Sequence, residues 1–336
     1  MDYYPLTFDL KGMSQPYLWG GRKLAPLVPD VPADEPVAEI WAVSDRPEEG
    51  KVSRVLNGPL TGQTFQQLIQ KDAVGFLGFD TTDHRFPILL KLMDPKGRLS
   101  VQVHPPAAVA EQLGGQPKAE AWLGLAGSDP DAYIYGGLKR GVTREQFETA
   151  LKDGSVEALL HRVPISAGTV FDVPNGRIHG IGEGCLLLEV QQSSDTTYRV
   201  FDYNRVDPKT GTTRQLHVKE SLASIDFADQ APQVESPQPI ADQRGSRRQF
   251  LTTDYFTIEK FTGSGEIFES TNGLATIVVN LKPQTTFLIS ANEVSIEQKT
   301  FECSLLPAAL GEFVVKGDDL DYALIRPVRP EMSPTT

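Results

Sequence analysis

Along the chain, apolar and polar residues alternate with a period of two in many short runs and follow a helical period in only a few. In LSVQVHP, Leu99 to Pro105, the polar Ser100, Gln102 and His104 take every second place among Leu99, Val101 and Val103. Successive side chains of a β-strand point to opposite sides, so a hydroxyl, an amide and an imidazole share one face and the aliphatic groups take the other. Such a face is either a half-exposed strand or the wall of a site. FPILLKLM, Phe86 to Met93, reads as a buried strand with a single charge, Lys91, and the turn DPKGR joins it to LSVQVHP as a hairpin. TVFDVP, CLLLEVQQ and TYRVFDY are further strands separated by Gly-rich turns. YLWGGRKLAP, Tyr17 to Pro26, and the strand EIWAVSD, Glu39 to Asp45, read as scaffold.

Two stretches carry helix signatures. Thr64 with Gln67, and Thr143 with Gln146, make capping-box patterns ahead of the stripes Phe65, Leu68, Ile69 and Phe147, Ala150, Leu151. The second helix runs toward Leu160 with a break at Gly154. From about Ala228 to Arg248 the chain lacks aromatics and is dense in Pro, Gln and charge, the composition of a connection. Beyond it, DYFTIEKF, GLATIVVNL, TFLIS and EFVVKG are again β-type runs. The pattern predicts a mainly β protein: a first domain over 1–227 with helical segments at about 60–75 and 143–160, a linker over 228–248, and a smaller β-domain over 249–330.

Composition narrows the function. The formal net charge of −12 argues against a general nucleic-acid binder, since phosphate backbones are held by clustered Lys and Arg. An anionic small molecule stays compatible where a few basic groups converge. Cys185 and Cys303 lie in apolar runs, as buried free thiols of a reducing compartment do. No run reaches the roughly 18 apolar residues of a membrane span, and the N-terminus lacks a secretory pattern, so a cytoplasmic protein without a membrane partner is expected.

The candidate chemistry gathers around His104 and His179, two of five histidines. His104 lies on the polar face of LSVQVHP, His179 lies in a Gly-flanked turn, and Glu120 immediately precedes the strand-like AWLGLAG. Imidazole nitrogen and carboxylate oxygen suit zinc, with Gln102 as a fourth ligand through its amide oxygen. Taken singly, a histidine on a strand is more often a hydrogen-bonded core or surface residue. Glu189 sits inside an apolar run, and a carboxylate is rarely buried without a partner. Arg199, which can steady an oxyanion, shares its parity with Glu189, Gln191, Ser193 and Asp195, whereas SSD alone fits a turn. Lys91 and Lys118 either snorkel to solvent or neutralise a substrate.

LSVQVHP, KAEAW and the long block PNGRIHGIGEGCLLLEVQQSSDTTYRVFDYNR resemble the type I mannose-6-phosphate isomerase family in its short bacterial form, as do YLWGG, EIWAVSD and SLLPAALGEFVVKG. The resemblance implies a cupin jelly-roll barrel with a helical insertion and a second, metal-free cupin-like domain. It implies one zinc per chain on Gln102, His104, Glu120 and His179, and a sugar-phosphate pocket lined by Ser100, Lys91, Lys118, Glu189, Asp195 and Arg199. Arg199 is the expected enediolate stabiliser, with Glu189, Asp195 or Lys118 moving the proton, and Ser100 and Lys91 binding substrate. The chain departs from the family at Pro106, after the His-Pro pair, where relatives often carry Asp or Asn. A monomer or weak homodimer acting on a sugar phosphate is expected. Three rivals share these residues: a cupin metalloprotein acting on another sugar, an Fe(II) oxygenase, since two histidines and a carboxylate also suit iron, and a non-catalytic carbohydrate-binding cupin.

Overall fold

The computed structural model describes residues 2–206, 211–234, 240–242 and 245–329. Among these, the strands form three large antiparallel sheets and a two-stranded ribbon. One sheet runs from edge to edge through Val170–Val173, Glu120–Gly124, Leu187–Gln192, Ile88–Met93, Glu39–Val43 and Ser14–Gln15. A second runs through Leu160–Pro164, Tyr133–Leu138, His179–Ile181, Val101–Val103 and Tyr198–Phe201.

The period of two decides which way each strand faces. Leu90 and Leu92, Leu188 and Val190, and Ala121 and Leu123 all join one apolar core. Lys91, Glu189, Glu120 and Trp122 are thereby turned to the opposite side of their sheet. In the second sheet Val101 and Val103 pack with Tyr135, Leu138 and Phe147 on a separate core, which turns Gln102 the other way. The polar sides of the two sheets face one another. They share an apolar layer in which Ile134 and Ile181 of one sheet meet Met93, Trp122 and Phe171 of the other.

This arrangement corrects the hairpin read from FPILLKLM and LSVQVHP. Ile88–Met93 pairs with Glu39–Val43 and Leu187–Gln192, while Val101–Val103 pairs with His179–Ile181 and Tyr198–Phe201. The turn between them crosses from sheet to sheet, held by Asp94 N–H donating to the Ala38 carbonyl and Gly97 N–H to the Trp19 carbonyl. Strands of one hairpin would present Lys91 and Gln102 on one sheet surface; placed in opposed sheets, they confront each other across a gap.

Both capping boxes form. Helix Phe65–Lys71 is capped by Thr64 and Gln67, and it buries Phe65, Leu68 and Ile69 against the outer face of the first sheet. Helix Arg144–Asp153 is capped by Thr143 and Gln146, and it buries Phe147 and Ala150 on the outer face of the second. It stops at Gly154, whose φ of 79° is the left-handed conformation glycine adopts freely, and a 3-10 turn, Val156–Leu159, follows.

The third sheet is built mainly from the C-terminal part, with the long strands Phe256–Ser270 and Glu312–Pro327 paired along their length. Its edge is Leu6–Thr7, paired with Cys303–Leu306. Leu6, Ile258, Ile277 and Ile325 enter the same core as Leu90 and Val190, so first and third sheets share one apolar layer. The connection expected over 228–248 falls partly outside the described residues, at 235–239 and 243–244, as does residue 330 of the C-terminal domain; Ile240–Asp242 is a strand paired with Gly245–Thr252. Both cysteines are free thiols, Cys185 buried and Cys303 partly so. No helix among the described residues is long and apolar enough to cross a membrane.

Candidate active site

Between the opposed polar faces, ligand atoms of His104, Glu120 and His179 lie within 4.8 Å of one another. All three residues are buried. Strand register brings them together: His179 pairs with Gln102 in its own sheet, and Glu120 heads a strand of the facing sheet. His104 Nε2 stands 3.3 Å from one Glu120 oxygen, and His179 Nε2 stands 3.4 Å from the other. Both imidazoles are anchored from behind, His104 Nδ1 at 2.8 Å from the Thr196 carbonyl and His179 Nδ1 at 2.9 Å from the Arg177 carbonyl. A carbonyl accepts only, so each Nδ1 carries the proton and each Nε2 presents a lone pair toward Glu120.

Electrostatics keep these groups in their metal-binding forms. Burial lowers the His104 pKa to about 4, with Lys118 adding to the effect, and burial lowers His179 as well. Burial alone would raise the Glu120 carboxyl; Lys118, and then His104, more than reverse this and hold it well below the usual carboxylate range. Lys118 Nζ donates to Glu120 at 2.7 Å. His179 Nε2 and Glu120 Oε1 are buried with no hydrogen-bond partner. Such orphaned acceptors call for a cation, since a buried polar atom left unmade is costly. Ligand atoms about 2.0–2.1 Å from a tetrahedral ion stand about 3.3 Å apart, so the observed separations fit a small divalent metal.

A cavity of about 310 Å³ adjoins this group. Its wall includes Ser100, Gln102 and Arg199 from one side, and Lys91, Lys118, Glu189 and the exposed Asp195 from the other. Ser100 and Gln102, on the polar face of LSVQVHP, thus line a cavity. Lys91 Nζ lies 3.3 Å from Glu189 and 3.9 Å from Glu39, and 4.9 Å from the centre of the Trp41 ring. Burial would lower its pKa, but Glu39 and then Glu189 hold the ammonium above its ordinary value. Trp122 donates its indole N–H to Glu189 at 2.9 Å, and Trp41 donates to Glu39 at 3.0 Å.

The strand carrying Glu189 ends at Gln192, so Ser193 and Asp195 do not continue its face. The loop that follows is held from below: Gln191 Nε2 donates to the Ser194 carbonyl and Arg46 to the Ser193 carbonyl, each at 2.7 Å. This loop carries both the Thr196 carbonyl behind His104 and the cavity-lining Asp195. Sequence reading missed Tyr17, Trp19, Glu39, Trp41 and Arg214, which also line the cavity. Four of them come from the two segments read as scaffold. Glu39 carried a usable signal, a carboxylate at the head of an apolar run like Glu189; Arg214 lies in a loop and carried none.

Comparison with known proteins places this geometry. The family description "Phosphomannose isomerase type I, catalytic domain" matches residues 7–133. The mannose-6-phosphate isomerase ManA of Bacillus subtilis is 33% identical over 332 residues, covering 93% of this chain and 96% of that protein. The mannose-6-phosphate isomerase of Streptococcus mutans is 34% identical over 252 residues, 74% of this chain and 77% of the relative. The crystal structure of the mannose 6-phosphate isomerase from Bacillus subtilis superposes with a TM-score of 0.85 at 26% identity, over 96% of this chain and 99% of that one. With its opposed antiparallel sheets and its buried His–Glu–His group, the chain belongs to the type I mannose-6-phosphate isomerase family.

Proposed function

We propose that this protein interconverts mannose 6-phosphate and fructose 6-phosphate through a cis-enediol, with one zinc ion held by His104, Glu120 and His179 and by Gln102 as a fourth ligand. The observation that carries this reading is the pair of orphaned acceptors, His179 Nε2 and Glu120 Oε1, buried beside a cavity that holds a carboxylate–lysine–carboxylate cluster. Zinc, when bound, supplies Lewis-acid polarisation of the sugar's carbonyl and hydroxyl oxygens without redox change.

The remaining chemistry belongs to the chain's own groups. Glu189 has one oxygen occupied by the Trp122 N–H and the other, Oε1, free of any hydrogen bond beside Lys91. That free oxygen takes the proton from C2 and returns it to C1 on the same face of the enediol. Lys91 Nζ stands 3.3 Å from that oxygen, a cation beside the site of proton transfer. Arg199, with a buried Nε–H that has no acceptor, donates to the oxyanion that develops on the substrate. Lys118 and Asp195 exchange protons with the O1 and O2 hydroxyls, and Ser100 hydrogen-bonds the sugar.

A coupled assay of mannose 6-phosphate conversion, run on chelated protein and on protein reloaded separately with zinc and iron, tests the reading. Turnover that vanishes on chelation and returns with zinc is expected. A zinc-loaded protein without turnover would leave the non-catalytic cupin. Full iron occupancy in protein purified without added metal, again without isomerisation, would point to the oxygenase.

A further inference from the structure

The cations of the cavity are not balanced alike. Lys91 faces two carboxylates, Glu39 and Glu189, and Lys118 is bound to Glu120. At the Arg199 end the count reverses. Arg205 and Arg214 share one buried carboxylate, Asp202, which Arg214 grips through Nε at 2.8 Å and Nη2 at 2.5 Å. Arg199 has no carboxylate partner among the described residues: one Nη donates to the Gln215 carbonyl at 3.0 Å, and its Nε is buried without a partner. Among the described residues, three guanidiniums thus stand against a single carboxylate at this end. Arg199 and Arg214 line the cavity, whereas Arg205 donates to the Arg98 carbonyl and lies over the Tyr203 ring. Burial, and then Arg214, pull the Arg199 pKa down, so the two guanidiniums feel each other.

We infer that Arg214, oriented by Asp202, is the phosphate-binding residue of this site, and that Lys91 is not. The inference rests on the sugar-phosphate reading above and says which end of the cavity takes the phosphate. A phosphate monoester carries about −1.5 to −2 charge at neutral pH and is best held by planar guanidinium forks. A dianion beside Lys91 would meet two carboxylates for one ammonium. Beside Arg214 it meets, among the described residues, three guanidiniums of which Asp202 offsets one charge. Register adds direction: Arg199 pairs with Gln102, which pairs with His179, so the order Arg214, Arg199, Gln102, His179 leads from the phosphate toward the His–Glu–His group. A phosphate seated on Arg214 points the sugar's reacting carbons inward.

Two measurements on the metal-loaded protein test this: calorimetric titration with inorganic phosphate, and steady-state kinetics on mannose 6-phosphate. Arg214→Gln should weaken phosphate binding about 10- to 100-fold and raise KM in parallel, with kcat moving less than about threefold. Arg214→Lys keeps the charge without the fork and should fall between parent and Arg214→Gln, guarding against a folding artefact. Arg205→Gln removes the other partner of Asp202 and should change phosphate affinity less than about threefold. Unaltered phosphate binding in Arg214→Gln, or an equal loss in Arg205→Gln, overturns the assignment. A parent protein that binds phosphate through Arg214 yet does not isomerise would sink the proposed function and leave this inference standing.

Discussion

Lys91 illustrates how a single side chain can be indispensable to its surroundings without adding stability of its own. A buried ammonium between two carboxylates recovers little more than its desolvation cost, but its removal strands two charges. Lys91→Met should therefore lower the unfolding free energy by about 3–5 kcal/mol, read from the urea midpoint. Adding Glu39→Gln and Glu189→Gln to it should recover most of that loss; failure to recover would mean the lysine stem, not its charge, holds the site. Asp45 is a second buried case. Burial raises its carboxyl from 3.8 to about 6, offset only in part by the Phe86 N–H. The folded state thus binds this proton more tightly than the unfolded one, and stability falls as pH rises from about 4 to about 6. At about 1.4 kcal/mol per pKa unit the loss is about 3 kcal/mol, complete above the folded pKa. Asp45→Asn should flatten that part of the stability–pH curve; an unchanged slope would refute the assignment. Side chains such as Glu189 and Lys91 were legible in sequence because charge inside an apolar strand is conspicuous. Tyr17, Trp19 and Arg214 were not, since loop positions obey no period.

At the scale of elements, the strands are positioned by contacts too close for larger residues. Gly136 pairs with His179, and a Cβ there would lie 2.1 Å from the Phe171 ring. Phe171 stacks on Trp122, with ring centres 6.4 Å apart, and Trp122 in turn holds Glu189. Gly136→Ala should cost about 1–3 kcal/mol in stability and, by displacing this stack, lower kcat about 100-fold. Retained turnover together with a shifted tryptophan fluorescence spectrum would show that the stack does not position Glu189. Helix starts were readable because Thr64 and Thr143 each carry their reciprocal glutamine. Strand partners were harder to read: alternation tells which residues share a face but not which sheet the strand joins. The Lys91 and Gln102 strands, adjacent in sequence, became neighbours across a cavity instead of along a ladder.

Taken whole, the molecule ties its first strand to its last sheet. Leu6 is fully buried and pairs with Leu305, while Tyr4 and Phe8 are nearly as covered in the same core. Deleting residues 2–8 should remove about 5 kcal/mol or more from the unfolding free energy. The urea transitions of the metal-site sheets and of the C-terminal sheet should then shift together, because one apolar layer serves both. A C-terminal transition that moves alone would contradict that shared layer. Sequence reading placed no partner for these residues, since pairing between positions about 300 apart leaves no local trace. The same pairing governs how the newborn chain matures. A ribosome releases Leu6 long before Leu305, so the opening segment can dock early only along one edge, on Val55 to Asn57 and Phe65, and its other edge stays available to chaperones until the later strands emerge.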